Sequence, residues 1–173
     1  MTIVHAVQKL LNTSGLKPPM YVSAPSEGQQ LHSWYAKLLA TGFRGKLLVM
    51  YVHEPSLLLV LTSGKSINTT LPSFFSRLPQ LLQRNNFNQL FIEREMQLLE
   101  EGYVISRTNS RSMLASMNAI TVNIETSCLM SPLYELINLD EIEDDYLDWF
   151  TLDAASGKYR RTKDYWIEKG LIH

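Results

Sequence analysis

Residues 103–118 read YVISRTNSRSMLASMN, and the rest of the chain is organised around this stretch. Residues 103–105 are apolar and largely β-branched, which predicts a short strand. Residues 106–110 are all polar, and Asn109 or Ser110 can accept a hydrogen bond from the free amides of a following helix. The stretch therefore predicts a strand, a polar loop and a helix in succession.

The helix predicted from Arg111 onward presents two different stripes. One is apolar with the spacing i, i+4, i+7, i+11 of a core-facing surface, and it consists of Met113, Met117, Ile120 and Ile124. The other contains only small residues, namely Ser112, Ala115, Ser116 and Ala119. We therefore expect the first stripe to face the core and another element to approach the second closely.

The polar junction has two interpretations. In the first, the amides at the helix start and the guanidinium groups of Arg107 and Arg111 bind an anion. In the second, the same polar groups cap the helix and satisfy buried backbone atoms, which need partners with or without a ligand. The candidate ligand- or phosphate-binding residues under the first interpretation are Arg107, Thr108, Asn109, Arg111, Ser112 and Asn118.

Residues 108–118, TNSRSMLASMN, resemble the signature Thr-x-x-Arg-Ser-x-Leu-Gly-Ser-Met-Asn-Asp of an uncharacterised bacterial domain family. The matching residues are Thr108, Arg111, Ser112, Leu114, Ser116, Met117 and Asn118. Ala115 stands where the family has Gly, and Ala119 where it has an acid. Shorter segments at residues 8–11 and 34–39 extend the resemblance over residues 3–125. The resemblance implies a folded domain and no particular reaction.

The overall composition is that of an ordinary globular protein. The chain has 173 residues, 45% hydrophobic and 19% charged, which is enough to bury a core. No apolar run reaches the roughly 18 residues of a membrane span, and residues 1–12 lack the pattern of a secretory signal. The single cysteine, Cys128, excludes an internal disulfide. We therefore expect a cytoplasmic protein without a membrane segment.

Charge is distributed unevenly along the chain. Residues 1–92 contain two acids and eight Lys or Arg, whereas residues 93–173 contain fifteen acids and eight Lys or Arg. Residues 134–153 alone contain eight acids and no Lys or Arg. Such asymmetry indicates either a partner surface or an acidic segment that covers a basic one, while two solvated faces would give the same composition.

The remaining periodicity predicts an α+β fold with a small, mainly antiparallel sheet of about four strands and four or five helices. Residues 46–53 and 56–62 contain the runs LLVMYV and LLLVL, a central hairpin covered on both faces. Helices are predicted near residues 31–40, 70–86, 88–101 and 110–124. Pro79 is expected to kink or split the second of these helices.

The end of the chain is predicted to be a tail, residues 151–173, docked on a single globular domain of residues 1–150. Residues 158–173, KYRRTKDYWIEKGLIH, interleave basic and aromatic side chains. Single-stranded nucleic acid binding uses this composition. A tail that docks its aromatic residues on the domain has the same composition, so both interpretations stand.

Familiar catalytic and metal-binding patterns are incomplete in this sequence. Residues 63–66, SGKS, end like a phosphate-binding loop, but Leu59 replaces its first Gly and we expect no helix to open there. The four histidines and Cys128 lack metal-ligand spacing, so no metal is expected. No Gly-x-Ser-x-Gly turn is present. The acids of residues 140–148 lack the spacing of a calcium loop.

The leading hypothesis is a non-enzymatic binding or regulatory module that contacts another protein, without a cofactor. Its partner-surface candidates are Asp144, Asp145, Asp148, Arg160 and Arg161. One alternative is phosphate- or nucleic-acid-directed binding or activity at the Arg107/Arg111 junction. Another is a hydrolase with a dispersed site that uses His5, His32 or His53. The sequence leaves the oligomeric state open.

Overall fold

The computed structural model describes residues 1–18, 22 and 28–173. The strands are Thr2–Ala6 (β1), Ser33–Ala40 (β2), Leu47–His53 (β3), Leu59–Ser63 (β4), Tyr103–Arg107 (β5), Thr151–Asp153 (β6) and Lys158–Arg160 (β7). The helices are Gln8–Ser14 (α1), Ile67–Arg84 (α2), Gln89–Glu100 (α3), Arg111–Leu129 (α4), Leu139–Tyr146 (α5) and Thr162–Glu168 (α6), with a 3₁₀ turn at Tyr134–Leu136. The predicted α+β class is confirmed.

The main sheet has the strand order β4-β3-β2-β1-β5. Strand β1 runs parallel to both β2 and β5, whereas β3 is antiparallel to β2 and β4. The sheet is therefore mixed, where the sequence predicted mainly antiparallel pairing. The reason is that α1 separates β1 from β2, and α2 and α3 precede β5, so the chain returns to the same end before each parallel strand.

The predicted hairpin of β3 and β4 is confirmed, and it lies under helices on both faces. Val49, Tyr51 and Val60 belong to a core cluster that contains residues of α1, α2 and α3. Met50 and Leu61 belong to a second cluster, with residues of α4 and α5. Because alternate side chains of a strand point to opposite faces, covering both faces requires the continuous apolar runs seen in the sequence.

The helix predicted near residues 31–40 is wrong, because this segment forms β2. Trp34 and Tyr35 are both buried, 0% and 1% exposed, and they belong to the two different core clusters. A strand that is covered on both faces shows no polar alternation. The spacing of Leu31, Trp34 and Leu38 consequently mimicked one face of a helix.

Helix α2 begins earlier and is more continuous than the sequence indicated. Ser66 is its N-cap and accepts a hydrogen bond from Thr69 N at 3.3 Å, so a helix does open after the SGKS segment. The helix also runs unbroken through Pro79, so the predicted split does not occur. Its buried stripe, which includes Phe74 and Leu78, holds it against the sheet on both sides of that residue.

Helix α4 carries the predicted apolar stripe into the second cluster, with Met117, Ile120 and Ile124 each 0% exposed. Its small-residue stripe faces β6, because Ser116 Oγ accepts a hydrogen bond from Ala154 N at 3.0 Å. The chain after residue 150 contributes Trp166, which is fully buried in the first cluster. A domain boundary at residue 150 stays a prediction.

Among the residues that the structure describes, no helix is both long enough and apolar enough to cross a membrane.

Candidate functional site

The polar junction between β5 and α4 is capped by its own side chains. Ser110 Oγ accepts a hydrogen bond from the backbone N–H of Met113 at 3.2 Å. The hydroxyl of Ser112 lies 3.1 Å from the same oxygen. This arrangement satisfies one of the amides that the anion-binding interpretation would use.

The two arginines of the junction belong to different elements, Arg107 to the end of β5 and Arg111 to the start of α4. Arg107 ends β5 in register with Ala6. The first turn of α4 instead faces a cavity of about 440 Å³, which Ser112 and Glu54 line. Both Arg107 and Arg111 are exposed, and within the described part of the chain neither guanidinium group has a hydrogen-bonded or ion-paired partner. An anion site at this junction stays a prediction.

Two other candidates reach into the neighbouring strand β2. Asn118 Oδ1 accepts a hydrogen bond from Lys37 Nζ at 2.8 Å, and Asn109 Oδ1 accepts one from the Tyr35 hydroxyl at 3.5 Å. Thr108, which precedes Asn109 in the chain, is half-buried. These amides therefore orient a lysine and a tyrosine of the sheet, a connection that the sequence did not indicate.

The acidic segment mostly covers basic residues of the same chain. Asp144 accepts hydrogen bonds from the guanidinium group of Arg84 and, at 2.7 Å, from the amide of Asn85. Asp148 lies 3.4 Å from Lys163. Asp145 is exposed. Most of this charge is therefore compensated within the molecule, and a role of the segment in binding a partner stays a prediction.

The basic partner-surface candidates are compensated in the same way. Arg160 Nε donates to Asp153 at 3.0 Å, and its other nitrogens donate to the carbonyls of Pro55 and Ser56. Arg161 forms a paired contact with Asp164, at 3.0 and 2.7 Å. The Arg160 contacts hold the β6–β7 hairpin on the turn between β3 and β4, whereas the Arg161 contact lies within the start of α6. The role of these residues in binding a partner stays a prediction.

Below α5 lies a fully buried carboxylate. Glu143 accepts a hydrogen bond from Leu61 N at 3.1 Å and forms an ion pair with Arg77. Arg84 lies 3.7 Å away. Burial raises the pKa of Glu143 to about 7, and the two guanidinium groups and the Leu61 amide oppose that rise. The group couples α2, β4 and α5.

His5 and His53 do not share one site. His5 stacks on Tyr35 with ring centroids 4.6 Å apart, whereas His53 packs beside Trp34 at 5.2 Å. Trp34 and Tyr35 are consecutive in β2 and therefore lie on opposite faces of the sheet. His53 also uses both ring nitrogens, with Ser56 Oγ at 2.7 Å and the Gln30 carbonyl at 2.8 Å.

Burial lowers the pKa of His53 to about 3, so this ring is neutral at ordinary pH. The structure thus removes a joint role for His5 and His53. No group of three metal-ligating side chains capable of holding an ion is found among the described residues.

Cationic residues gather at one end of the main sheet. The strand register brings the carboxyl ends of β1, β2, β4 and β5 and the amino end of β3 to this end. On or beside these strand ends stand Lys9, Lys37, Arg44, Lys46, Lys65 and Arg107. We call these six residues the basic edge.

The basic edge keeps most of its charge free. Lys37 is half-buried and the other five residues are exposed, and none of the six forms an ion pair within the part of the chain that the structure describes. Burial lowers the pKa of Lys37, the carboxylate of Glu125 opposes this shift, and Lys9 adds to it. A cationic surface whose described residues form no ion pairs is suited to a polyanion.

Sequence reasoning found Arg107 and missed the other five residues. Their signal was the excess of basic residues in the first 92 positions, which carries no information about where the side chains meet. The strand register supplies that information, because β1, β2 and β4 all finish at the same end.

Comparison with known proteins gives a family and no activity. A family model described as a domain of unknown function, DUF6933, matches residues 3–164. No curated protein and no solved structure matches the chain.

Proposed function

Since the chain belongs to the DUF6933 family, a domain of unknown function, its relatives supply no activity, and we propose that it binds nucleic acid without catalysis. The observation that carries this proposal is the basic edge, where six cationic residues stand together without ion pairs. Lys and Arg side chains that contact phosphate groups release bound counterions, which supplies most of the affinity of sequence-independent binding.

The size of the basic edge is consistent with several phosphate contacts. Four spacings of about 4.8 Å separate β5 from β4, so the edge extends roughly 19 Å across the sheet. Duplex DNA carries one charge per about 1.7 Å of its axis. Such a length of nucleic acid therefore presents more phosphates than the edge has cations. Glu125 and Glu135 lie near the edge and offset part of its charge.

A double variant tests this proposal. In Arg44→Ala/Arg107→Ala, two exposed charges are removed without breaking a described contact. We expect weaker binding to single-stranded and duplex oligonucleotides, and a log–log salt slope that is shallower by about 1.4–1.8, since each phosphate contact contributes about 0.7–0.9. Fluorescence anisotropy over a range of salt concentrations measures both quantities.

The matched control is Lys158→Ala/Lys169→Ala, which removes the same charge from exposed positions in β7 and after α6. These residues lie away from the basic edge, so we expect the affinity and the salt slope to stay at the wild-type values. If the wild-type protein shows no salt-dependent binding to DNA or RNA, or if both double variants weaken equally, the proposal is wrong.

Contact with another protein is the second candidate function. Four apolar side chains at the last residue of α4 and in the segment that follows it are exposed, and they are Leu129 at 66%, Met130 at 81%, Leu133 at 57% and Leu136 at 61%. An exposed group of this kind is typical of a protein-interaction surface. We call these four residues the apolar segment.

The proposed setting is bacterial and cytoplasmic, and the proposed binding uses no cofactor. Reduced thiols are the rule in that compartment, and the buried, unpaired Cys128 is compatible with it.

A further inference from the structure

A small cavity of about 260 Å³ opens on the basic edge, between the β2–β3 turn and the end of β4. Two lysines of the edge, Lys46 and Lys65, line it together with Ser63 and Tyr134. The lysines come from different turns, and the tyrosine comes from the 3₁₀ turn after α4. Three separate parts of the chain therefore bring polar groups to one cavity.

The hydroxyl groups of this cavity are held in fixed positions. Ser63 Oγ and Tyr134 Oη lie 2.7 Å apart, and the Tyr134 ring packs edge-on against Phe43 with centroids 6.1 Å apart. Lys46 Nζ lies 5.0 Å from the centre of the tyrosine ring. The cavity thus combines two positive charges with a positioned pair of hydroxyl groups.

This combination matches a phosphate monoester better than a phosphodiester. A monoester carries a charge of about −1.5 to −2 at pH 7 and three acceptor oxygens, whereas a backbone phosphodiester has one charge and two free oxygens. Two lysines balance the monoester, and whichever hydroxyl group accepts in the Ser63–Tyr134 hydrogen bond keeps its own proton to donate to a phosphate oxygen. A terminal phosphate also needs room for a continuing chain on one side only.

We infer that this cavity binds the terminal phosphate of a nucleic acid. The inference rests on the proposed function and assigns the cavity a distinct role, which is to recognise the end of a strand while the remaining basic edge contacts the backbone. The site differs from a nucleotide-binding loop, because only Gly64, Lys65 and Ser66 separate β4 from α2. That connection is too short to wrap around a phosphate chain.

The test compares one oligonucleotide sequence with a 5′-phosphate, a 3′-phosphate or hydroxyl groups at both ends. The wild-type protein should bind a phosphorylated end about tenfold more tightly, which is the effect of one hydrogen bond to a charged group. The preference should shrink between pH 7.5 and pH 5.5, because the second pKa of the monoester is about 6. A free nucleoside monophosphate, as competitor, shows whether a strand is required.

Two variants separate the cavity from the rest of the edge. Tyr134→Phe removes one hydroxyl group and keeps the ring, and Lys65→Gln removes one charge. Both should abolish or sharply reduce the preference for a phosphorylated end. The control is Arg44→Gln, in the neighbouring turn and outside the cavity lining, which should weaken binding to all three oligonucleotides equally and preserve the preference.

The outcomes distinguish the two proposals. Equal wild-type affinity for phosphorylated and hydroxyl ends overturns the cavity inference and leaves nucleic-acid binding intact. If no oligonucleotide binds, the proposed function fails, and the cavity is then judged by titration with inorganic phosphate, followed at the amide NMR signals of Gly45 and Gly64. Unchanged signals at those two glycines overturn the cavity inference as well.

Discussion

At the scale of single residues, Glu143 is a buried carboxylate in a stretch of acidic sequence that would be expected to face solvent. It stands among the acids of residues 140–145, but it is only 1% exposed, whereas Glu141 and Asp145 are exposed. An amphipathic helix explains the difference, since only one side of α5 faces β4. A buried carboxylate of this kind makes stability depend on pH.

The sign of that dependence follows from the direction of the shift. The folded protein holds the Glu143 proton up to about pH 7, whereas the unfolded chain releases it near the ordinary value of 4.5. Between these values the folded state binds more protons, so this group lowers the free energy of unfolding as pH rises. The full effect is about 3 kcal/mol, since one pKa unit corresponds to about 1.4 kcal/mol.

Glu143→Gln tests this prediction, because the amide does not titrate. The free energy of unfolding of the variant minus that of the wild type should rise by about 3 kcal/mol between pH 4.5 and pH 7. Urea denaturation at several pH values measures the difference. Glu141→Gln, exposed on the same helix, is the control and should run parallel to the wild type. If the difference in free energy of unfolding between Glu143→Gln and the wild type does not change with pH, the ion pair with Arg77 keeps the carboxylate charged.

At the scale of elements, the helices were more predictable than the strands. The apolar stripes of α2 and α4 were read correctly because each helix faces the sheet on one side and solvent on the other. Strand β2 was misread because it is covered on both faces, which removes the polar alternation that marks a strand. An apolar run that is buried on both sides therefore does not by itself distinguish a strand from a helix, and the correct assignment of β3 and β4 depended on the short link between them.

The start of α4 gives a prediction at this scale. Ser110→Ala removes the hydroxyl that accepts from Met113 N, and it should lower the free energy of unfolding by about 1 kcal/mol. Ser76→Ala, at an exposed position inside α2, is the matched control and should be neutral or slightly stabilising, since Ala has the higher helix propensity. Chemical denaturation monitored by circular dichroism measures both; a neutral Ser110→Ala would mean that water replaces the cap.

At the scale of the whole molecule, the charge split along the sequence becomes a spatial arrangement. The acids of α5 lie on Arg77 and Arg84 of α2, which removes these two arginines from the basic surface. The cations of the basic edge form no ion pairs with acids among the described residues. One part of the chain is therefore neutralised internally, while the basic edge stays available to a polyanion.

The apolar segment gives the whole-molecule prediction for protein contact. A photo-crosslinking residue introduced at Met130 should capture a discrete protein partner in cells, and the additional change Leu133→Glu should abolish that product because it charges the surface. The same crosslinker at Leu90, which is 75% exposed on α3, should give no discrete crosslinked product. Equal products at both positions, or none at Met130, would contradict a protein-binding role.

The sequence by itself determined the α+β class, the β3–β4 hairpin, helices α2, α3 and α4, and the two candidates, Asn109 and Ser110, for the cap of α4. Each of these depends on local periodicity or on a hydrogen bond between near neighbours, which the order of residues specifies directly. Only the tertiary structure decided that β1 pairs in parallel, that residues 33–40 form a strand, and that Lys37, Lys46 and Lys65 meet at one end. These facts depend on strand register and on connections over many residues, because the free energy of burying both faces of the sheet, and not any local preference, selects them.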